Sequence, residues 1–243
     1  MFKPILIVPF YNHVQAFEKN LKNFQDTGLP VLIVDDGSEK EQSDRMRELC
    51  KKNNFQFIRL PLNKGKGQAV ITGMKKALEQ NYTHALQIDA DGQHNFSDIP
   101  LFLTYAKKHP DRLINGCPVY GQDVPKSRLY GRKITNFWVC VETFSPPMDA
   151  MCGFRVYPLK RIENILSNIR FLRMGFDIEI LVKTKWLGID VLPLKTAVIY
   201  PKDGVSHFRA IKDNVLISCL HTYLCCLMPF VLIKKGVKKC KMF

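Results

Sequence analysis

The chain has 243 residues, 46% of them hydrophobic and 24% charged; 36 Lys and Arg against 22 Asp and Glu give a formal net charge of +14. That balance excludes a disordered tail protein and a multi-span membrane protein, and Gly and Pro without a period exclude a fibrous one. The length suits one large domain with a core of useful size.

Strand and helix signals alternate through residues 1–116. Ile5–Val8 is a short apolar run that reads as a buried strand. Val14, Phe17, Leu21 and Phe24 have helical spacing, so Val14–Phe24 is expected to be a helix. Val31–Val34 is a second strand. Ser38, with Glu41 as capping-box partner, is expected to start the charged helix Glu39–Lys51. Phe55–Leu60 is a third strand, Gln68–Glu79 a helix and Ala85–Ile88 a fourth strand. Ser97 or Asp98 caps a helix running to about Lys108, and Leu113–Ile114 begins a strand. The second half is less regular: Val124–Glu142 looks helical, Ser145-Pro146-Pro147 breaks the chain, and Asp149–Arg155 reads as a loop. Phe176–Leu187 is a helix and Leu194–Ile199 is extended.

Strands separated by helices imply right-handed crossovers and a mainly parallel α/β sheet flanked by helices. Ligands of such sheets bind at the carboxyl ends of the strands. The polar clusters fall there: Tyr11-Asn12-His13, Asp35-Asp36-Gly37-Ser38, Asn63-Lys64-Gly65-Lys66-Gly67 and Asp89-Ala90-Asp91-Gly92-Gln93-His94.

The C-terminal region differs in composition. Asn214–Ile233 contains no Asp, Glu, Lys or Arg, and Lys234–Lys241 reads KKGVKKCK. About twenty such residues just span a bilayer core. Three readings stand open: an interfacial anchor with basic flanks, a transmembrane helix, and a buried or oligomer-contact helix. Residues 1–210 are thus expected to form the main domain, and 211–243 an apolar helix with a basic tail. No basic stripe with interleaved aromatics occurs elsewhere, so nucleic acid is not an expected partner. The eight cysteines form no CxxC pair. The first apolar run, Pro4–Phe10, is too short for a secretion signal, and reduced thiols in a cytoplasmic protein are expected.

Each cluster carries its own chemistry. Asp89-x-Asp91 at a strand end offers two hard oxygen ligands suited to Mg²⁺ or Mn²⁺, with a diphosphate completing the octahedron and Gln93 adding a neutral oxygen; the alternative is a solvated Asp-Gly turn. Asp35 and Asp36 suit ring N–H groups of a base or ribose hydroxyls, or else an acidic turn favouring the next helix dipole. The lysine–glycine run around Lys66 fits neither GxGxxG nor a Walker A loop, yet a Gly-rich turn before a helix suits an anion. Arg128, Arg132 and Arg155 are candidates for an acceptor phosphate or anionic head group, or are surface charges.

In this order, the four clusters resemble family-2 glycosyltransferases. Val8-Pro9-Phe10-Tyr11-Asn12 looks like the family's opening strand and loop, and Val34-Asp35-Asp36-Gly37-Ser38 like its nucleotide-contact motif. Asn63–Ala69 is similar to a segment of polyprenyl-phosphate sugar transferases, Asp89–His94 to the DxD motif with its following Gln, and Gly153-Phe154-Arg155 and Trp186-x-Gly188 to that same branch. The resemblance covers roughly residues 3–210. It implies a GT-A fold, a nucleotide-diphosphate sugar donor and inversion at the anomeric carbon. It places Pro9, Tyr11, Asn12, Asp35 and Asp36 around the nucleotide. Lys66 and Asp89 lie toward the diphosphate, and Asp89, Asp91 and Gln93 hold the metal. An acidic residue near the acceptor is implied, with Asp177 preferred over Glu179. The family usually has Glu where His13 stands and Lys where Ser206-His207-Phe208 stands; His207 is a candidate third metal ligand or diphosphate contact. With the apolar C-terminal stretch, the expected acceptor is lipid-type, at the cytoplasmic face of a membrane. A polyprenyl phosphate is the more specific alternative, and a non-catalytic, membrane-tethered nucleotide-sugar-binding domain the alternative of another class.

Overall fold

The computed structural model describes residues 1–120, 126–198 and 210–240. In chain order the elements are β1 (Pro4–Phe10), α1 (Val14–Lys19), α2 (Leu21–Asp26), β2 (Val31–Asp35), α3 (Lys40–Lys52), β3 (Gln56–Arg59), α4 (Lys66–Glu79) and β4 (His84–Gln87). A 3₁₀ turn at Phe96–Asp98 leads into α5 (Ile99–Lys108), β5 (Leu113–Val119), α6 (Lys126–Thr143), β6 (Arg155–Pro158), α7 (Leu159–Leu166), α8 (Phe176–Trp186), β7 (Val191–Ala197) and α9 (Ala210–Cys240).

The seven strands form one sheet in the order β3-β2-β1-β4-β6-β5-β7. The expected α/β sheet is present and mainly parallel: β1 pairs in parallel with β2 and β4, β2 with β3, and β5 with β7. Strand β6 runs antiparallel to both β4 and β5. Both faces are covered. Ile5 and Ile7 of β1 point into a core with Leu32, Val34 and helices α4, α7 and α8, while Leu6 and Val8 point into a second core with Ile33, Phe17, Met46 and Phe102. This is why β1 and β2 read as continuous apolar runs rather than alternating ones.

Several sequence expectations need correction. The Val14–Phe24 helix is broken at Asn20, which ends α1. Ser38 does not cap α3. Its Oγ accepts the Asn12 N–H, and Asn12 Oδ1 instead accepts the N–H of Glu39, the helix N-cap, from across the sheet edge (2.9 and 2.8 Å). Asp98 does not cap α5 with its side chain; Asn95 Oδ1 accepts the Ser97 N–H, and Asp98 takes a bond from Thr196. Residues 155–166, taken as the end of a loop and otherwise unassigned, form β6 and α7. Ile199 lies outside the described residues.

Candidate active site

Three adjacent strands, β2, β1 and β4, deliver their carboxyl ends to one edge. Asp35 ends β2 with its side chain 0% exposed. Its Oδ1 accepts the Ser38 N–H (2.9 Å), while Oδ2 has no hydrogen bond and lies 3.6 Å from Arg59 Nε. Asp36 is equally buried and accepts the Lys64 and Gly65 N–H groups (2.9 and 2.7 Å). Burial raises its carboxyl pKa, with these bonds opposing. Asp36 thus clamps the lysine–glycine loop against the sheet edge. Pro9 and Asn12 are half-buried there and Tyr11 is exposed.

The loop then places Lys66. Gly65 has φ +106°, and the Gly67 N–H donates to the Leu172 carbonyl (2.8 Å). A Cβ on Gly67 would stand 2.6 Å from the Phe176 ring. The start of α4 therefore lies against the segment that opens α8. From it, Lys66 Nζ reaches both Asp89 oxygens (2.8 and 2.9 Å) and Asp177 Oδ2 (3.2 Å). Burial opposes the Lys66 charge, but Asp177 and Asp89 outweigh it and raise its pKa. Burial likewise opposes Asp89 ionisation, but Lys66 and His94 hold that carboxyl well below the usual range. His94 Nε2 is 3.7 Å from Asp89, and its Nδ1 is buried without a partner. Asp91 is exposed and accepts the Gln93 N–H (3.0 Å). Crowding by surrounding protein, then the neighbouring Asp89 carboxylate, raise its pKa.

Asp177 is held on three sides. Gln87 donates to its Oδ1 (3.1 Å), Lys66 to its Oδ2, and the Arg155 guanidinium to its backbone carbonyl (2.6 Å). Tyr157 donates to Gln87 Oε1 (3.1 Å), and both residues are fully buried. Sequence reasoning missed Gln87 and Tyr157. The available signal was a polar side chain inside the apolar strand Ala85-Leu86-Gln87-Ile88. Tyr157→Phe should cost about 1–2 kcal/mol, because Gln87 Oε1 would be left buried without its donor. Equilibrium denaturation measures this, and an unchanged midpoint would show that Gln87 does not rely on the bond.

Gly153 closes the cluster from above. A Cβ there would stand 2.5 Å from Lys66 Nζ and 2.9 Å from Asp89 Oδ2. Lys66 is the far end of a flexible side chain, so Gly153→Ala should displace the ammonium rather than unfold the protein. A turnover loss of roughly tenfold or more with a near-native melting temperature is the expected pair of results, since small misplacements of reacting groups are costly.

Other candidates lie elsewhere. Glu179 is fully buried and takes bonds from the Arg170 and Phe171 N–H groups (2.9 and 2.7 Å) and from Lys183 Nζ (2.6 Å); it organises the entry to α8 and does not face the cleft cluster. Arg155, expected near an acceptor, is 0% exposed and bonded to the Asp177 and Ala150 carbonyls, so it acts from beneath the site. Arg132 is paired with both Asp149 oxygens (2.8 and 2.6 Å) rather than standing as an open cation. Asp149 also accepts the Met151 and Cys152 N–H groups. Arg128 stands on α6 with its side chain outside the described residues, and His207 lies outside them altogether. Among the described residues no group of three or more His, Cys, Asp or Glu is arranged to hold a metal. The two carboxylates at 89 and 91 are hard oxygen donors, which fits a cation that keeps water and substrate oxygens in its remaining positions.

The chain is similar to known proteins in both sequence and fold. The chain is 30% identical over 223 residues to an uncharacterized protein of Methanocaldococcus jannaschii, covering 86% of this chain and 93% of that one. It is 28% identical over 211 residues to the UDP-N-acetylglucosamine–dolichyl-phosphate N-acetylglucosaminyltransferase of Methanococcus voltae, covering 79% and 84%. In fold it matches glucosyl-3-phosphoglycerate synthase from Mycobacterium tuberculosis, a structure in complex with Mn²⁺, UDP and glucosyl-3-phosphoglycerate, with a TM-score of 0.63 at 12% identity over 93% of this chain and 80% of that one. The mixed sheet with helices on both faces is thus GT-A-like. The model of "Glycosyl transferase family 2" matches residues 5–174, which include the four polar segments that begin at Tyr11, Asp35, Asn63 and Asp89 and stop short of Asp177. The chain therefore belongs to glycosyl transferase family 2 and is a glycosyltransferase.

Proposed function

We propose that the chain transfers a hexose from a nucleotide-diphosphate sugar to the phosphate of a polyprenyl phosphate, with inversion and with Mg²⁺ or Mn²⁺. The observation that carries this is the Lys66–Asp89–Asp177 cluster beside Asp91 at the carboxyl edge of the sheet. Pro9, Tyr11 and Asn12 would line the nucleotide, and Asp35 Oδ2 is a buried acceptor not used by any hydrogen bond. Asp89 and Asp91, with Gln93 beside them, would hold the divalent cation. When bound, that cation supplies Lewis-acid stabilisation of the leaving diphosphate. Lys66, released from Asp89, would place its charge on the same oxygens.

Asp177 bears on the nature of the acceptor. Both its carboxylate oxygens are engaged, one by Gln87 and one by Lys66. A carboxylate so occupied is ill-placed to take a proton from a hydroxyl. An acceptor phosphate is already anionic and needs no base. Asp177 then positions Lys66, and Arg128 is the proposed contact to the acceptor phosphate. A dolichyl-phosphate relative at 28% identity supports the same class. In this reading residues 1–210 form the catalytic domain and 211–243 an attached helix with its basic tail. We place this work at the cytoplasmic face of a membrane on the apolar stretch at 212–233 and the lysine-rich sequence that follows it.

Melting temperature against a panel of nucleotide sugars, with and without Mn²⁺ or Mg²⁺, tests the donor side. A ligand at a hundred times its Kd stabilises by about 2.7 kcal/mol, or roughly 5–10 °C for a domain of this size. One nucleotide-diphosphate sugar should give a metal-dependent rise. A folded protein that responds to none of them would count against the donor assignment.

A further inference from the structure

Lys66 holds two carboxylates with one ammonium. Its Nζ donates to Asp89 Oδ2 (2.9 Å) and to Asp177 Oδ2 (3.2 Å). Asp89 Oδ1 lies 2.8 Å from the same Nζ, yet it is buried and makes no hydrogen bond. A buried carboxylate oxygen without a donor suits a hard cation. Here that oxygen already has a positive charge beside it. A divalent cation at Asp89 and the ammonium in its present position would repel each other strongly, because the surroundings screen them poorly.

The ammonium has little freedom to back away. A Cβ on Gly153 would stand 2.5 Å from Nζ, so the backbone closes that side. His94 Nε2, 3.7 Å from Asp89, occupies another. Asp177 is different from Asp89 in how it is held. Gln87 donates to its Oδ1 (3.1 Å), and Arg155 donates to its backbone carbonyl (2.6 Å). Asp177 therefore stays in place as a second seat for the ammonium when Asp89 is taken. The long, flexible lysine stem permits Nζ to swing about that seat.

We propose, on the donor and metal assignment made above, that Lys66 competes with the divalent cation for Asp89, so that the cation binds firmly only together with the diphosphate. The diphosphate supplies oxygens to which the ammonium turns from Asp89 while it remains paired with Asp177. Lys66 thus couples cation and donor. By linkage, each tightens the binding of the other by the same factor.

The test is a titration of the full chain with Mn²⁺ in the absence of nucleotide, with free Mn²⁺ read by electron paramagnetic resonance. Lys66→Met should bind Mn²⁺ at least about tenfold more tightly than wild type. Lys64→Met removes the same charge from an exposed neighbour and should stay within about twofold of wild type. A second titration needs no variant. Uridine or guanosine diphosphate should tighten Mn²⁺ binding by wild type at least about tenfold, after correction for the nucleotide's own Mn²⁺ complex. Equal Mn²⁺ affinity in Lys66→Met and wild type, an equal gain in Lys64→Met, or no effect of a nucleotide that itself binds would each overturn the competition and leave the donor reading standing. Folded protein that binds neither nucleotide with Mn²⁺ would overturn both.

Discussion

Replacing Asp91 with alanine is expected to lower sugar transfer by roughly a thousandfold, about 4 kcal/mol of transition-state stabilisation, while leaving the melting temperature nearly unchanged. Asp91 is exposed, and its one hydrogen bond comes from the backbone of Gln93 two residues away. Its pKa is raised by crowding and by Asp89, so the ionised carboxylate is disfavoured in the fold as it stands. An ionised carboxylate held that way opposes the fold slightly rather than supporting it, and in the proposed function a bound cation is what satisfies it. Asp91→Asn separates charge from shape and should fall nearly as far as alanine. Steady-state transfer with an Mn²⁺ titration measures both variants. Full turnover by Asp91→Ala would remove the metal role from this residue.

Gly65→Ala should unfold the protein far more readily, by about 3–5 kcal/mol, lowering the melting temperature by roughly 10 °C. Two effects add. Gly65 sits at φ +106°, where an L side chain is strained, and its new Cβ would run into the Leu172 backbone carbonyl. The Gly65 N–H is also one of the two donors that satisfy Asp36. Because Lys66 follows directly, the ammonium between Asp89 and Asp177 would move as well, so activity at low temperature should fall alongside stability. A melting temperature within a degree or two of wild type would show that this turn yields more easily than its contacts indicate.

The edge of the sheet was legible because its causes are local. Ile5–Val8 and Val31–Val34 are apolar on both faces, and each ends in a polar cluster that the strand must deliver to the same side. The DxD pair and the lysine–glycine loop follow from that placement. Buried charge was not legible. Arg155 looks like a loop cation in sequence, yet it fills the space between the Ala150 and Asp177 carbonyls, partners five and twenty-two residues away. Its strand, β6, is short, begins with a charge and ends in Pro158, so no apolar run marks it. Glu179 read as a carboxylate at a helix start, while its real partners are two backbone N–H groups before the helix and Lys183 one turn on. The Glu179–Lys183 spacing of four was visible and argues for a structural pair. For the C-terminal stretch, composition left three readings open. The Glu142–His221 contact joins positions far apart in sequence, and no local pattern gives it.

The proposed transfer goes to a phosphate acceptor and uses no protein base. The most direct measurement offers labelled donor sugar to a polyprenyl phosphate and, separately, to the matching polyprenol, using the full chain with Mn²⁺. Label passing into the organic phase only with the phosphate acceptor is the result predicted by an Asp177 whose two oxygens are already held. Transfer to the polyprenol at a similar rate, or to neither by folded protein that binds its donor, would contradict it.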